Sequence, residues 1–238
     1  MSQTVAVPRP AASLILLRDG SDGPEVMMVE RTGSASFAAG KFVFPGGTKD
    51  AADETLASGG TPDAALRVTA IRETYEECGL LLVEPEPAEV APAASFQALL
   101  ETGGYTPATH RLTPFAHWIT PPHLPKRFDT RFFIARGPSR QVAAADLREV
   151  MSAVWLRPRA VVAAAEAAEL NLMFATYMNL RWLARFASVA DALAAAETRQ
   201  IVTVVPEPAD TPEGRVFRIP EAAGYGETAI LEHRFRRG

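Results

Sequence analysis

The stretch Arg72-Glu73-Thr74-Tyr75-Glu76-Glu77-Cys78-Gly79-Leu80 decides the reading of this chain. It closes a segment whose pattern turns helical from residue 62 to residue 78, with Thr61 suited to a cap, Pro62 to the first turn and Gly79 to the C-terminal end. At about 100° per residue, Ala64, Val68, Ile71, Tyr75 and Cys78 share one face. Glu73, Glu76 and Glu77 fall on the opposite face, at spacings that make them neighbours. Three carboxylates there repel one another, and their place near the negative end of the helix dipole adds to the cost. A solvated acidic face is the plain structural alternative. A hard divalent cation would relieve both costs, because magnesium takes carboxylate oxygens together with substrate phosphate.

Outward from the helix, Lys41-Phe42-Val43-Phe44-Pro45-Gly46-Gly47 reads as a strand stopped by proline and glycines. Its turn lets backbone approach an anion or donate a carbonyl to a metal. Residues 12–17 and 26–29 are apolar runs around a turn-forming cluster at 19–24, which predicts a hairpin. Residues 33–40 are small, 50–61 read as a polar loop, and 80–83 as a buried strand. Residues 85–92 form a linker before a short helix at 94–100. Further strands are expected at 115–119, 130–135 and 150–156, and helices at 160–169, 172–186 and 189–198. The middle helix is apolar around most of its circumference, so it is buried or lies at an interface, which suggests a homodimer. Residues 201–205 and 216–219 are expected to pair as a last hairpin, ahead of a frayed Arg236-Arg237-Gly238.

Composition bounds the function. With 238 residues, 47% hydrophobic and 22% charged, the chain can bury a sizeable core. A net charge of -4 without a lysine or arginine run points to no nucleic-acid partner and no membrane. The lone Cys78 excludes an internal disulfide framework and suits a reducing compartment, and its place on the apolar helix face predicts a buried, inert thiol. The first ten residues lack a signal-peptide pattern and no apolar run is long enough for a bilayer, so a cytoplasmic location is expected. His117 and His123 have no supporting cysteine and read as structural or exposed.

Taken together, the glycine turn, the loop and the acidic helix resemble the box of the Nudix hydrolases. That box runs Gly, five residues, Glu, seven residues, Arg-Glu, an apolar residue, any residue, Glu-Glu, any residue, Gly and an apolar residue. Gly47 resembles the opening glycine, and Arg72-Glu73, Glu76-Glu77, Gly79 and Leu80 match the second half, with Thr74 at the apolar position. The interval from Gly47 to Arg72 is eleven residues longer than the pattern. Asp53 therefore holds the first acidic position counted from Gly47, and Ala64 holds it counted back from Arg72. An insertion after Phe-Pro-Gly-Gly, with Trp118-Ile-Thr-Pro121, Arg127-Phe-Asp-Thr130-Arg-Phe-Phe133 and Val154-Trp-Leu156, is similar to the subgroup that includes the peroxisomal coenzyme A diphosphatases. Arg31, Thr32, Gly40 and Phe44 to Gly47 follow the layout of a coenzyme A motif, with Ser36 in place of its second arginine.

The resemblance implies a Nudix-type α/β/α sandwich with a mixed β-sheet and additional C-terminal helices. It implies one domain over residues 1–238, with an insertion at about 50–61 and a helical C-terminal extension from about 160. The implied activity is cleavage of a diphosphate linkage in a small-molecule nucleoside diphosphate derivative, coenzyme A or acyl-coenzyme A favoured, with Mg2+ or Mn2+. Glu76 and Glu77 would be metal ligands, joined by the Gly47 carbonyl, and Glu73 a further ligand or the base that activates water. Arg72 would orient a carboxylate through a two-pronged hydrogen bond. Glu149 resembles the extra acid that many Nudix enzymes bring from outside the box, and Asp53 is a second candidate. Arg31, Lys41, Lys126, Arg127 and Arg131 are candidate cations for substrate phosphates. Two alternatives stay open: a nucleotide-sugar or dinucleotide pyrophosphatase on the same fold, and a Nudix-like binding domain without turnover.

Overall fold

The computed structural model describes residues 5–32, 38, 40–57, 60–61, 63–90 and 93–236. Strands β1 (Arg9–Gly20) and β2 (Gly23–Arg31) form the expected antiparallel hairpin. Their centres are continuously apolar because both faces of the sheet are covered. Ala12, Leu14 and Leu16 face one core, and Ile15 and Leu17 the other. The chain then passes through β3 (Phe42–Val43) and β4 (Gly46–Thr48). β3 pairs with β2 at Val29↔Val43 and β4 with β1 at Ser13↔Gly46, so this segment fills the place where the two long strands part. Ser13 Oγ and the Leu14 N–H both donate to the Pro45 carbonyl, each at 2.9 Å, which fixes the turn beside β1.

Next come α1 (Ala51–Leu56), α2 (Ala64–Cys78), β5 (Val83–Glu84), α3 (Phe96–Gly103), β6 (Thr106–Pro107), β7 (Thr113–Ile119), β8 (Phe128–Arg136) and β9 (Val150–Leu156). β8 runs parallel to β1, from Arg9↔Phe128 to Leu17↔Arg136, while β7 is antiparallel to β8 and β9 to β2. α2 lays Val68, Ile71 and Cys78 on one face of this mixed sheet. α4 (Pro158–Glu166), α5 (Phe174–Leu183) and α6 (Val189–Glu197) cover the other with Val161, Tyr177, Leu180 and Ala192. The result is the helix–sheet–helix sandwich that the resemblance implies.

Four expectations are corrected. The insertion is not all loop: α1 lies within it, and Asp50 opens α1 with its N–H donating to Asp53 Oδ2 at 2.9 Å. Residues 80–82 are fully buried, yet only Val83–Glu84 pairs as a strand, with β6. The C-terminal extension is not only helical. β10 (Thr203–Val204) joins the main sheet parallel to β7, while β11 (Glu207–Thr211), β12 (Gly214–Arg218) and β13 (Ala229–Leu231) form a small antiparallel sheet of their own. Val216 therefore pairs with Ala209 and not with residues 201–205, because the sheet edge at His117–Trp118 captures Thr203–Val204 first. Helix α5 is buried within its own chain, one of the two places expected of it: Trp182 packs edge-on against Phe115, and Tyr177 and Phe174 stack with Phe235 from the C-terminal segment.

The expected roles of Pro62, Ser36 and Arg237-Gly238 fall outside the described residues, as does most of 33–40. Among the described residues no helix is long and apolar enough to cross a membrane.

Candidate active site

The site forms where α2 passes the Gly46-Gly47 turn. Gly79, at φ 71°, stops α2 and donates its N–H to the Tyr75 carbonyl at 2.8 Å, as a glycine in the left-handed region can at no steric cost. The two carbonyls before it are taken by the loop ahead of β9: Ala144 N–H donates to Cys78 at 2.9 Å and Asp146 N–H to Glu77 at 3.3 Å. The same loop brings Glu149 to the helix end, with Asp146 Oδ1 accepting from the N–H groups of Arg148, Glu149 and Val150. Cys78 is buried on the sheet side, its thiol pushed up to about 12 by burial, which fits the inert role expected of it.

Arg72 organises the acidic face. Its Nε and Nη2 donate to Asp53 Oδ1 and Oδ2 at 2.9 and 3.0 Å, Nη1 to Glu73 Oε1 and Glu76 Oε2 at 2.8 Å each, and Nη2 also to the Thr48 carbonyl at 3.1 Å. Although burial works against charge, these partners hold its guanidinium above the usual arginine range. Asp53 is fully buried, and its oxygens also accept from Thr69 Oγ1 at 2.8 Å and from the Asp50 N–H. Burial pushes its carboxyl up, but the hydrogen bonds from Arg72, Asp50 and Thr69 outweigh this and leave it below the ordinary carboxylate value. Asp53 is thus the partner of Arg72, while Ala64, its rival for the first acidic position, lies buried at the start of α2.

Glu77 is buried, at 3% exposure, Glu73 is half-buried and Glu76 is exposed, so the acidic face is solvated at Glu76 but not at Glu77. Glu77 Oε2 accepts from the Gly46 N–H at 3.0 Å and Oε1 from Arg31 Nη1 at 3.1 Å. Arg31 Nη2 reaches Glu149 Oε2 at 3.5 Å. Burial pushes the Glu77 carboxyl up to about 8, only partly opposed by Gly46 and Arg31 and reinforced by Glu73 and Glu149. Burial likewise pushes Glu73 up to about 7 against the pull of Arg72, with Glu76 and Glu149 adding to the rise. A Cβ on Gly47 would lie 2.5 Å from the Glu73 carboxylate, and one on Gly46 would lie 2.4 Å from the Ala12 carbonyl oxygen. Only glycines allow strand and helix to approach this closely.

The donor set is therefore all oxygen, half-buried and short of positive charge, which suits a hard divalent cation. Among the described residues no three His, Cys, Asp or Glu side chains converge as a ligand group, and Arg31 and Arg72 lie on oxygens of all four glutamates.

Compared with solved structures, the chain is 29% identical to a NUDIX hydrolase from Alicyclobacillus acidocaldarius, with a TM-score of 0.69 over 80% of this chain and 97% of that one. The chain is similar to Nudix hydrolases in both sequence and fold. No family model matches it. Among curated proteins the chain is 28% identical to the acyl-coenzyme A diphosphatase NUDT19 of Homo sapiens, over 53% of its own length and 41% of that protein. To the Gallus gallus protein of the same name it is 23% identical, over 70% of its own length and 63% of the relative. It thus spans less than two thirds of each of these relatives.

The remaining candidates of the Nudix reading sit apart from the glutamates. Arg127 is tied to backbone, donating to the Thr120 carbonyl at 3.0 Å and the Ala6 carbonyl at 2.7 Å. Arg131 faces Asp63 at 3.7 Å. Lys41 lies 3.7 Å from Met173 Sδ, and burial, with Arg236 nearby, lowers its ammonium from the usual value. His117 is held between Asp129 at 2.5 Å and Thr203 at 2.7 Å, a structural role as expected. Sequence reasoning missed Thr48 and Thr69, which complete the Arg72–Asp53 network. The spacing Asp50-x-x-Asp53, a cap-like signature, was the available signal that this loop begins a helix.

Proposed function

We propose that this chain is a hydrolase that uses Mg2+ or Mn2+ to cleave the diphosphate bridge of a nucleoside diphosphate derivative, with coenzyme A or an acyl-coenzyme A as the favoured substrate. The observation that carries the reading is the packing of Glu73 and Glu77 against the Gly46-Gly47 turn, both held far above the ordinary carboxylate range chiefly by burial, with Glu76 and Glu149 tied to the same two arginines. Such a cluster is unfavourable for folding unless a cation uses it. Glu76, Glu77 and the Gly47 carbonyl would hold the ion, with Glu149 in reach as a further acid. Bound there, the ion supplies positive charge to the phosphoryl oxygens and makes a bound water more acidic.

Arg72 keeps Glu73 and Glu76 in fixed orientation, and Asp53 fixes Arg72 in turn. Glu73, whose carboxyl titrates near neutrality, suits either a ligand or the base that takes a proton from water. Support for coenzyme A comes from the Arg31, Gly40, Phe44 to Gly47 layout and from the acyl-coenzyme A diphosphatase activity named for the NUDT19 relatives.

The test is to offer coenzyme A, an acyl-coenzyme A, dephospho-coenzyme A, a nucleotide sugar and a dinucleotide with each metal, reading products by mass. The expected products from coenzyme A are adenosine 3′,5′-bisphosphate and a phosphopantetheine. Cleavage of another diphosphate but of neither coenzyme A form would refute the substrate while leaving the chemistry. Failure on all of them with both metals would favour a binding domain without turnover.

A further inference from the structure

Arg31 and Arg72 both contact the acidic cluster, but they are held in opposite ways. Arg72 uses Nε, Nη1 and Nη2 in five hydrogen bonds to Asp53, Glu73, Glu76 and Thr48. Arg31 uses only its two terminal nitrogens, on Glu77 and Glu149, and its Nε is buried with no hydrogen-bond partner. An orphaned buried donor costs free energy that a settled ion pair avoids. The arginine also reaches the cluster from an irregular point of the sheet: the β2–β9 register shifts between Glu30 and Arg31, where Met151 of β9 is left without a partner in the pairing.

Glu77 is where the two demands collide. Its Oε2 accepts from the Gly46 N–H and its Oε1 from Arg31, so an ion on Oε1 would lie directly beside the guanidinium while Arg31 stays. A guanidinium and a divalent cation carry the same sign and cannot share one buried carboxylate oxygen without strong repulsion. Of the two arginines, the one with the unsatisfied nitrogen and the single link to the helix is the one that can leave.

We propose that Arg31 is an internal counter-ion that holds Glu77 and Glu149 in the metal-free protein and is displaced from Glu77 when the divalent cation binds. The inference rests on the metal-site reading above. It makes Arg31 a positioning residue whose removal strengthens metal binding, the reverse of what loss of a supporting contact would do. Ion and guanidinium compete for one site, so deleting the competitor deletes its share of the cost.

The test is Mn2+ affinity measured by calorimetry, without substrate, on the full chain, on Arg31→Met and on Arg31→Lys. Arg31→Met keeps the apolar stem and should bind Mn2+ about fivefold or more tightly than the unaltered chain. It should also melt lower in chelator and recover with Mn2+. Arg31→Lys, which keeps a charge but not the fork, should fall between. Equal or weaker Mn2+ binding by a folded Arg31→Met would overturn displacement while leaving the metal site standing. No Mn2+ binding by the unaltered chain would overturn both. A crystal structure of the unaltered protein with Mn2+ is an independent check that does not depend on any variant folding: Arg31 should have left Glu77, and an intact contact near 3.1 Å beside the ion would refute the proposal.

Discussion

Asp53 and Arg72, nineteen residues apart, face each other through two parallel hydrogen bonds of 2.9 and 3.0 Å with the carboxylate fully buried. The pair joins the insertion helix α1 to α2. Breaking a buried ion pair by removing one partner leaves an uncompensated charge, so Asp53→Asn should cost about 3 kcal/mol. That corresponds to a melting temperature lower by roughly 6–12 °C for a chain of this size. Turnover should fall with it, because Arg72 would no longer be held. A melting temperature unchanged within error would show that the insertion does not support the site.

Gly47→Ala probes the contact between strand and helix. The added carbon would sit 2.5 Å from the Glu73 carboxylate, so Glu73 must swing away while β4 keeps its pairing with β1. A shift of about an ångström in a catalytic group lowers rate by about a hundredfold. The variant should keep its circular dichroism spectrum and lose kcat on that scale. Full kcat would mean that Glu73 does not work from this position.

Stability without metal should depend on pH in a defined direction. Glu73 and Glu77 are raised from 4.5 to about 7 and about 8 in the folded chain. A raised carboxyl stabilises the fold below its unfolded value and loses that contribution as pH rises through the folded value. Asp53 is lowered, so its contribution is present above the unfolded value of 3.8 and is lost only as pH falls through the folded one. In chelator, the melting temperature should therefore climb as pH is lowered from about 9 toward about 5. On the proposed function Mg2+ or Mn2+ would bind the ionised carboxylates, so it should raise the melting temperature more at the alkaline end. A metal-induced shift larger at the acid end would contradict the site.

Much of this was legible in the sequence, for physical reasons that vary along the chain. The apolar runs of β1 and β2 could be read because strands covered on both faces need no polar positions. Helix α2 could be read from its period and from Gly79. The burial of Glu77 could not, since it depends on how closely Gly46 and Gly47 let the sheet approach. Nor could its pairing with Arg31, forty-six residues away at a register shift of the sheet. The last hairpin was misread because Glu207-Pro-Ala-Asp-Thr211 has no alternating apolar pattern, so its pairing with β12 left no trace, while Thr203–Val204 was claimed by a distant edge. Asp53 stood in view at the right count from Gly47, but only the folded insertion brings it to Arg72.

The central claim, that Glu77 holds the ion that drives hydrolysis, is tested most directly by Glu77→Gln. Glutamine resembles the protonated carboxyl that burial already favours, so the fold should survive although the residue is buried. The decisive measurement is turnover of the best diphosphate substrate as Mn2+ is titrated, for the unaltered chain and for this variant side by side. The unaltered chain should show saturable dependence on Mn2+, and Glu77→Gln should be slower by roughly two orders of magnitude or more at every concentration. Combined with Glu73→Gln it should lose far less than the product of the single effects, because both serve one centre. Turnover independent of Mn2+, or a folded Glu77→Gln with full turnover at limiting metal, would contradict it.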